Sequence, residues 1–378
     1  MRVAVIGAGA VGSQTAWQLA RAGVETFVYE RFEAPNKWGA HDGESRLLRG
    51  LPYLETAPGD RKILAESISA WERIQGLSDR PILDQCGGLI IDQPESESFG
   101  LAAEAAEAQP QARALDAATL ASNYPQFALD ARELGVIDER CGLADPQQAV
   151  AAALEFAVGA GARLQEHARV VALHAVDEGV VLEFFDGSRE SFDRVVCAAG
   201  AFARELVPEL PLRSRRLLLG WFEPKPGRSD LIEGMPSFVW TPPGGGFLYG
   251  GPAEGGASVK VGIDAPWGEV ADAMSRREVT SEDIAPMVES VRRYLPWLDT
   301  ATGRYEMHID GWSSDGHGIL GAHPCDPRVL LAVGWTGHGF KISPVLGEIA
   351  AALALGRESR FDISHLDPAR FEVLRTAG

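Results

Sequence analysis

The sequence predicts an α/β fold in which a parallel sheet is assembled from separated chain segments and joined to an α+β unit built on an antiparallel sheet. Three observations carry this. The chain opens on an apolar run, Val3 to Ile6, followed by the turn GAGAVG, a helical stretch, and a second apolar run from Thr26 to Tyr29. Two further buried-strand patterns, at 194–197 and 329–333, run into small-residue turns far downstream, as strands of a parallel sheet covered on both faces would. Between them, from Leu217 to Gly262, short strand-like runs are broken by PPGGG and GGPAEGG, and turns made of Gly and Pro belong to antiparallel sheets.

The first of these observations also carries chemistry. Gly7, Gly9 and Gly12, with Ala10 and Val11 between them, give the spacing at which a tight turn brings backbone N–H groups and a helix N-terminus against a pyrophosphate. The second strand ends in Glu30, followed by Arg31; an acid there hydrogen-bonds a ribose diol and repels a 2′-phosphate. Strand, triplet, helix and acid in this order predict a Rossmann-like dinucleotide site.

The remaining elements follow in order. A helix is predicted over Asp60 to Ile74, and a strand over Gly88 to Ile91 leaves the first unit. Residues 95–122, rich in Ala, Glu and Gln, read as a solvated helical stretch. Asp145 and Pro146 introduce a helix from Gln147 to Gly159, then a strand at Arg169 to Leu173 and a hairpin over Val180 to Phe185. The 194–197 strand leads through Ala199 and Gly200 into a predicted helix. A helix over Ser281 to Tyr294 precedes an extended stretch, Gly303 to Gly311, and the last strand turns through a glycine-rich segment into a helix ending near Leu355. This order places a dinucleotide-binding unit at 1–80, 145–212 and 322–378, and a substrate-binding unit at 81–144 and 213–321.

Composition narrows the function. The 378 residues are 46% hydrophobic and 23% charged, an ordinary globular balance. With 35 Lys and Arg against 53 Asp and Glu, the net charge of −18 argues against nucleic-acid partners and anionic membranes. No apolar run reaches membrane-span length and the first Met leads straight into a strand, so a cytoplasmic protein is expected. Cys86, Cys141, Cys197 and Cys325 form no CxxC pair; buried free thiols are expected, with neither a metal site nor a disulfide framework.

Five segments then point to a family. Beside GAGAVG stand GAHDGESRLLR at 39–49, SVKVG at 258–262, SDGHGILG at 314–321, and GHGFK at 337–341 with GEIAA at 347–351. Over nearly its whole length the chain resembles flavoprotein oxidases of the D-amino-acid oxidase superfamily, in particular the sarcosine oxidase and N-methyltryptophan oxidase group. The resemblance implies FAD, which glycine spacing alone does not distinguish from NAD. It adds Ser45, Arg46, Val170, Ala199, Gly200, His308 and the run Gly337, His338, Gly339, Phe340, Lys341 to the cofactor-binding set. It implies that Arg49 and Lys341 anchor a substrate carboxylate, that Lys260 lies beside the flavin and favours oxygen reduction, and that Tyr249 forms an aromatic pocket wall. A monomer acting on a small amino-acid-like molecule and molecular oxygen follows.

The departures bear on cofactor attachment and substrate. Related enzymes tether FAD through a cysteine where this chain reads His308-Ile309-Asp310-Gly311, so non-covalent FAD is expected, with His308 in a hydrogen-bonding or core role. Asp42, Asp264 and Asp310 replace non-acidic family residues; acids around one cavity would favour a cationic substrate group, whereas acids turned to solvent or paired with Arg would not. The expected reaction is oxidation of the C–N bond of an amino acid or N-alkyl amino acid to an imine, with oxygen reduced to hydrogen peroxide. The alternatives are a same-fold dehydrogenase that uses another acceptor and a non-catalytic flavin-binding subunit.

Overall fold

A computed structural model gives the structure and describes every residue except 56, 266, 276, 277, 377 and 378. The sheet that opens the chain runs in the order Ile319–His323, Asp326–Val333, Arg194–Cys197, Arg2–Ile6, Glu25–Tyr29 and Arg163–Gln165. Its strands are parallel except for the edge strand Ile319–His323, which pairs antiparallel with Asp326–Val333. An expected unit boundary at 321/322 would cut that edge strand, which belongs to the parallel sheet as a whole.

The apolar strands need cover on both faces. On one side lie helices α1 (Ala10–Arg21), α2 (Pro58–Leu77), α5 (Pro146–Gly159) and α7 (Gly339–Ala354), whose Leu19, Ile63, Trp71 and Leu346 are buried with Val3 and Val5. On the other side Phe27 and Tyr29 pack with Val180 and Phe192 from a three-stranded sheet, Val170–Val176, Gly179–Phe184 and Arg189–Phe192. The strand at 179–184 is the middle strand, so a hairpin flanks it on each side. α1 and α7 approach closely because Gly347 has no side chain: a Cβ there would stand 2.5 Å from the Gln14 Cβ.

The second large sheet runs Glu269–Val270, Leu212–Phe222, Val259–Ile263, Leu248–Pro252, Ser237–Trp240, Gly88–Asp92, Leu134–Asp138 and Ala112–Leu115, with Arg304–Ser313 pairing on Leu212–Phe222. It is antiparallel as expected except at one join, where Ser237–Trp240 lies parallel to Gly88–Asp92. The stretch read as helical at 95–122 divides into α3 (Glu97–Glu107), the strand Ala112–Leu115 and α4 (Ala117–Asn123). Pro110 and two new N-caps explain the division: Ser96 accepts from the Phe99 amide and Asp116 from the Thr119 amide, so each helix starts afresh. The helix predicted beyond Cys197 is a short 3₁₀ segment, Gly200–Glu205, whose first residue has a φ of 54° that an α-helix does not contain. α6 (Ser281–Tyr294) forms as predicted behind a capping box made by Thr280 and Asp283. Of the four free cysteines Cys325 is exposed, contrary to the expectation of burial. Among the described residues no helix is long and apolar enough to cross a membrane.

Candidate active site

One cavity of about 850 Å³ runs between the two sheets, from Gly7 to Lys341. It collects almost the whole predicted site. Gly7, Gly9, Ala10, Val11, Glu30 and Arg31 line it, as do Val170, Ala199, Gly200, Arg46 and Arg49. So do Tyr249, Lys260, Asp264, His308, Asp310 and the run 337–341. Gly12 and Ser45 stand behind the lining, each doing packing work described below.

At one end the wall is backbone. Gly7 has a φ of +96°, and a Cβ on it would lie 2.7 Å from the Ala198 carbonyl oxygen; a Cβ on Gly12 would lie 1.9 Å from the Gly7 carbonyl oxygen. These two glycines let the first strand, the turn and α1 touch. Glu30 ends the second strand, buried, and accepts from the amides of Ala8 (2.8 Å) and Phe32 (3.0 Å). Burial raises its carboxyl above the usual range against the pull of those amides. On the opposite wall Gly200 and Gly337, both with positive φ, have open space where a side chain would be. Trp335, a further lining residue, keeps a buried indole N–H without a hydrogen-bond partner.

The middle of the cavity is set by the 39–49 loop and its neighbours. The Arg46 guanidinium donates to the carbonyls of Ser45 (2.9 Å) and Ala40 (2.9 Å) and to that of Asp42, closing the loop on itself. The Lys260 ammonium, on strand Val259–Ile263, is fully buried and donates to the Ser45 carbonyl (2.6 Å) and hydroxyl (2.8 Å). Burial, and then the Arg46 charge beside it, hold its pKa well below the ordinary lysine value. His308 is buried with Nδ1 3.6 Å from an Asp42 oxygen and Nε2 3.7 Å from a Glu306 oxygen. Asp310 uses its carboxylate on backbone, accepting from the amides of Gly311 (2.8 Å) and Gly337 (2.7 Å).

The other end is made of charged side chains. Arg49 forms a fork on Glu55, with Nη1 and Nη2 2.9 and 2.8 Å from the two carboxylate oxygens, and also donates to the Leu51 carbonyl. The same carboxylate meets His338 at 3.3 Å and the Lys341 Nζ at 3.7 Å, and Lys341 stands 2.9 Å from the His338 Nδ1. Lys341 is held in place from behind: Trp71 of α2 donates its indole N–H to the Lys341 carbonyl (2.8 Å) and stacks on Phe340. Burial pushes the Lys341 ammonium down to about 8, opposed chiefly by Glu55. Burial works to raise the Glu55 carboxyl, but Arg49, His338 and Lys341 outweigh it and hold it well below the usual range. The Lys341 charge, and then burial, lower His338, so near neutral pH the cluster holds two cations against one anion.

Comparison with known proteins adds identity to this geometry. The family model described as FAD dependent oxidoreductase matches residues 2–353. The chain belongs to that family. N-methyl-L-tryptophan oxidases of Salmonella dublin and Salmonella enteritidis are each 28% identical over 373 residues, covering 97% of this chain and 98% of the relative. Among solved structures, NikD, an unusual amino acid oxidase essential for nikkomycin biosynthesis, is similar with a TM-score of 0.81 at 22% identity, over 97% of this chain and 96% of that one. L-proline dehydrogenase from P. horikoshii has a TM-score of 0.82 at 19% identity, over 98% and 97%. At such identities these two likenesses speak for the fold. FAD is the family's cofactor, and the cavity fits it: a glycine cradle, a buried acid at the sheet end, open space over Gly200 and Gly337, and an unused indole N–H.

Two features escaped the sequence reading. Glu55 balances Arg49 and Lys341, and nothing in its local sequence, LPYLET, marks it out among the acids. His41 is buried against the backbone of the loop: a Cβ on Gly39 would lie 2.4 Å from its Nδ1, and burial followed by the Arg46 charge takes its pKa down to about 4. Of the three acids expected around one cavity, Asp264 and Asp310 line it and Asp42 does not. Asp310 is engaged by two backbone amides, and Asp264 remains at an exposed position on the wall, where water screens its charge.

Proposed function

We propose that the protein oxidises the C–N bond of an amino acid or N-alkyl amino acid to an imine, the two electrons and two protons removed passing on to molecular oxygen to give hydrogen peroxide, while water hydrolyses the imine. The observation that carries this reading is the convergence of Arg49 and Lys341 on one carboxylate at the end of the cofactor cavity. Glu55 offsets one of the two charges, and the remaining positive charge is what a substrate carboxylate would neutralise. Anchoring that carboxylate fixes the neighbouring C–N bond in one orientation, which supplies the positional part of the rate enhancement. Bound FAD supplies the two-electron acceptor.

Each remaining residue then has a task. Gly7, Gly9, Ala10, Val11 and Gly12 form the cradle for the cofactor's phosphates, and Glu30 receives its ribose hydroxyls. Asp310 is a positioning residue: by holding the Gly337 amide it fixes the turn that leads into Lys341. Tyr249 forms part of the pocket wall. Lys260, buried and donating to Ser45, is the group assigned to oxygen reduction. His308 is a buried packing residue rather than an attachment point, so denaturation releases FAD into solution.

Anaerobic mixing of the flavin-loaded protein with L-, D- and N-methyl amino acids, followed by admission of oxygen, tests the reading. One substrate class should bleach the flavin, and oxygen should restore colour rapidly with formation of peroxide. In Lys260→Met, bleaching persists while recolouring slows by at least about a hundredfold, the scale of losing one preorganised electrostatic group. Slow recolouring of the unsubstituted protein would make it a dehydrogenase, and absence of bleaching by every class would exclude amino acids as substrates.

A further inference from the structure

Outside the cofactor cavity, three donors from distant segments meet. Asp60 lies in the first turn of α2, His317 in the turn between Arg304–Ser313 and Ile319–His323, and His365 in the short turn Ser364–Leu366 near the C-terminus. The two oxygens of Asp60 face the two imidazoles, at 2.8 Å from His365 Nε2 and 3.8 Å from His317 Nδ1. One donor atom from each residue can be chosen so that all lie within 4.8 Å of one another. None of the three lines the cavity. We propose that Asp60, His317 and His365 form a binding site for a borderline divalent cation of the zinc type, which ties the C-terminal segment and the 314–318 turn to the start of α2.

The donor set selects the class. Two imidazoles and one carboxylate suit zinc and its transition-metal neighbours, whereas magnesium and calcium require oxygen donors. Zinc bonds of about 2.0 Å in a tetrahedron set donors about 3.3 Å apart; one donor atom from each residue already lies within 4.8 Å of the other two, and the ion would take the place of the hydrogen bond that joins His365 Nε2 to Asp60 at 2.8 Å. Small rotations of the imidazoles close the set, and the fourth position is left for water. The ligand-bearing segments are also braced from outside. Arg370 donates to the carbonyls of His317 (3.1 Å) and Gly318 (2.9 Å) and pairs with Asp315, whose carboxylate accepts from the His317 amide. Asp362 accepts from the amide and hydroxyl of Ser364, beside His365. Gly59 lets the C-terminal segment contact α2 directly, since a Cβ there would stand 2.0 Å from the Asp362 carbonyl oxygen. Such backing is what keeps metal ligands oriented.

The test is equilibrium dialysis of untagged, flavin-loaded protein, stripped with a chelator, against Zn²⁺, with bound metal measured by mass spectrometry and thermal unfolding followed in parallel. The expected result is about one equivalent of tightly held zinc, a melting temperature that rises with zinc concentration as ligand linkage requires, and no competition from excess Mg²⁺. His317→Ala, at a partly exposed position that leaves folding intact, and Asp60→Asn should each weaken zinc binding by at least about tenfold and remove the thermal response, with flavin content unchanged. Unaltered zinc binding in His317→Ala, equal binding of Mg²⁺, or no zinc retained by the unsubstituted protein would each overturn the proposal.

Discussion

The two ends of the cavity are built from different materials. Around Gly7, Gly9 and Gly12 the wall is main chain, its elements brought together by the absence of side chains, and the acid at the strand end, Glu30, is held by amides. Around Lys341 the wall is a cluster of long side chains, Arg49, Glu55, His338 and Lys341, drawn from a loop before α2 and the start of α7 and balanced against one another by charge. Main chain set by strand pairing tolerates a change of substrate but not a change of shape. A charge cluster tolerates small shape changes but not loss of one member, because the others are then left buried and uncompensated.

Substitutions can separate the two ends. The largest effect is expected from Glu55→Gln, which removes the anion facing buried Arg49 and Lys341. Loss of one partner of a buried ion pair costs about 3–5 kcal/mol, read as a lowered thermal midpoint that an added small carboxylate partly restores while flavin stays bound. Arg49→Ala should leave flavin content intact and lower kcat/KM by the equivalent of about 2–5 kcal/mol, roughly one and a half to three and a half orders of magnitude; steady-state kinetics beside the flavin-to-protein absorbance ratio shows whether the ends are independent, and flavin loss here would mean that they are not. Gly12→Ala should do the reverse. The added methyl meets the Gly7 carbonyl, an overpacking cost of about 1–3 kcal/mol, and purified protein should carry less FAD while substrate selectivity stays the same in the fraction that retains it.

The smallest effect concerns protonation. Lys341 titrates near 8 and attracts a carboxylate only when protonated. Affinity for a non-reactive carboxylate should be full about one pH unit below that value and fall on passing through it, by at most about tenfold per pH unit. Lys341→Arg, charged throughout, should flatten that limb; an unchanged pH profile would place the titrating group elsewhere.

Legibility follows the same division. The glycine end was readable because its information is local: the spacing of GAGAVG dictates the turn, and the acid follows one helix and one strand later. The cationic anchors Arg49 and Lys341 were reached through matched motifs, and the structure puts both on one cavity wall. Glu55 was not readable, since among 53 acids nothing local selects the one that faces a guanidinium. Asp310 was expected at the cavity and lines it, but its hold on the amides of Gly311 and Gly337 was not readable, because that depends on how the strand Arg304–Ser313 lies against the turn beyond Val333. Nor could the helical composition of 95–122 disclose that Ala112–Leu115 would complete the edge of a distant sheet.

By itself, the sequence determined an α/β chain with a dinucleotide cradle and most of its strands and helices, and matched motifs singled out Arg49, Lys260 and Lys341 as candidate cations. Apolar periodicity, glycine spacing and caps are properties of neighbours along the chain. Only the tertiary structure decided which charges compensate one another, which cavity acids are held by backbone amides, and that residues 60, 317 and 365 share one corner. Those outcomes depend on segments hundreds of residues apart being packed together, and the energy of a buried charge is set by what surrounds it in space.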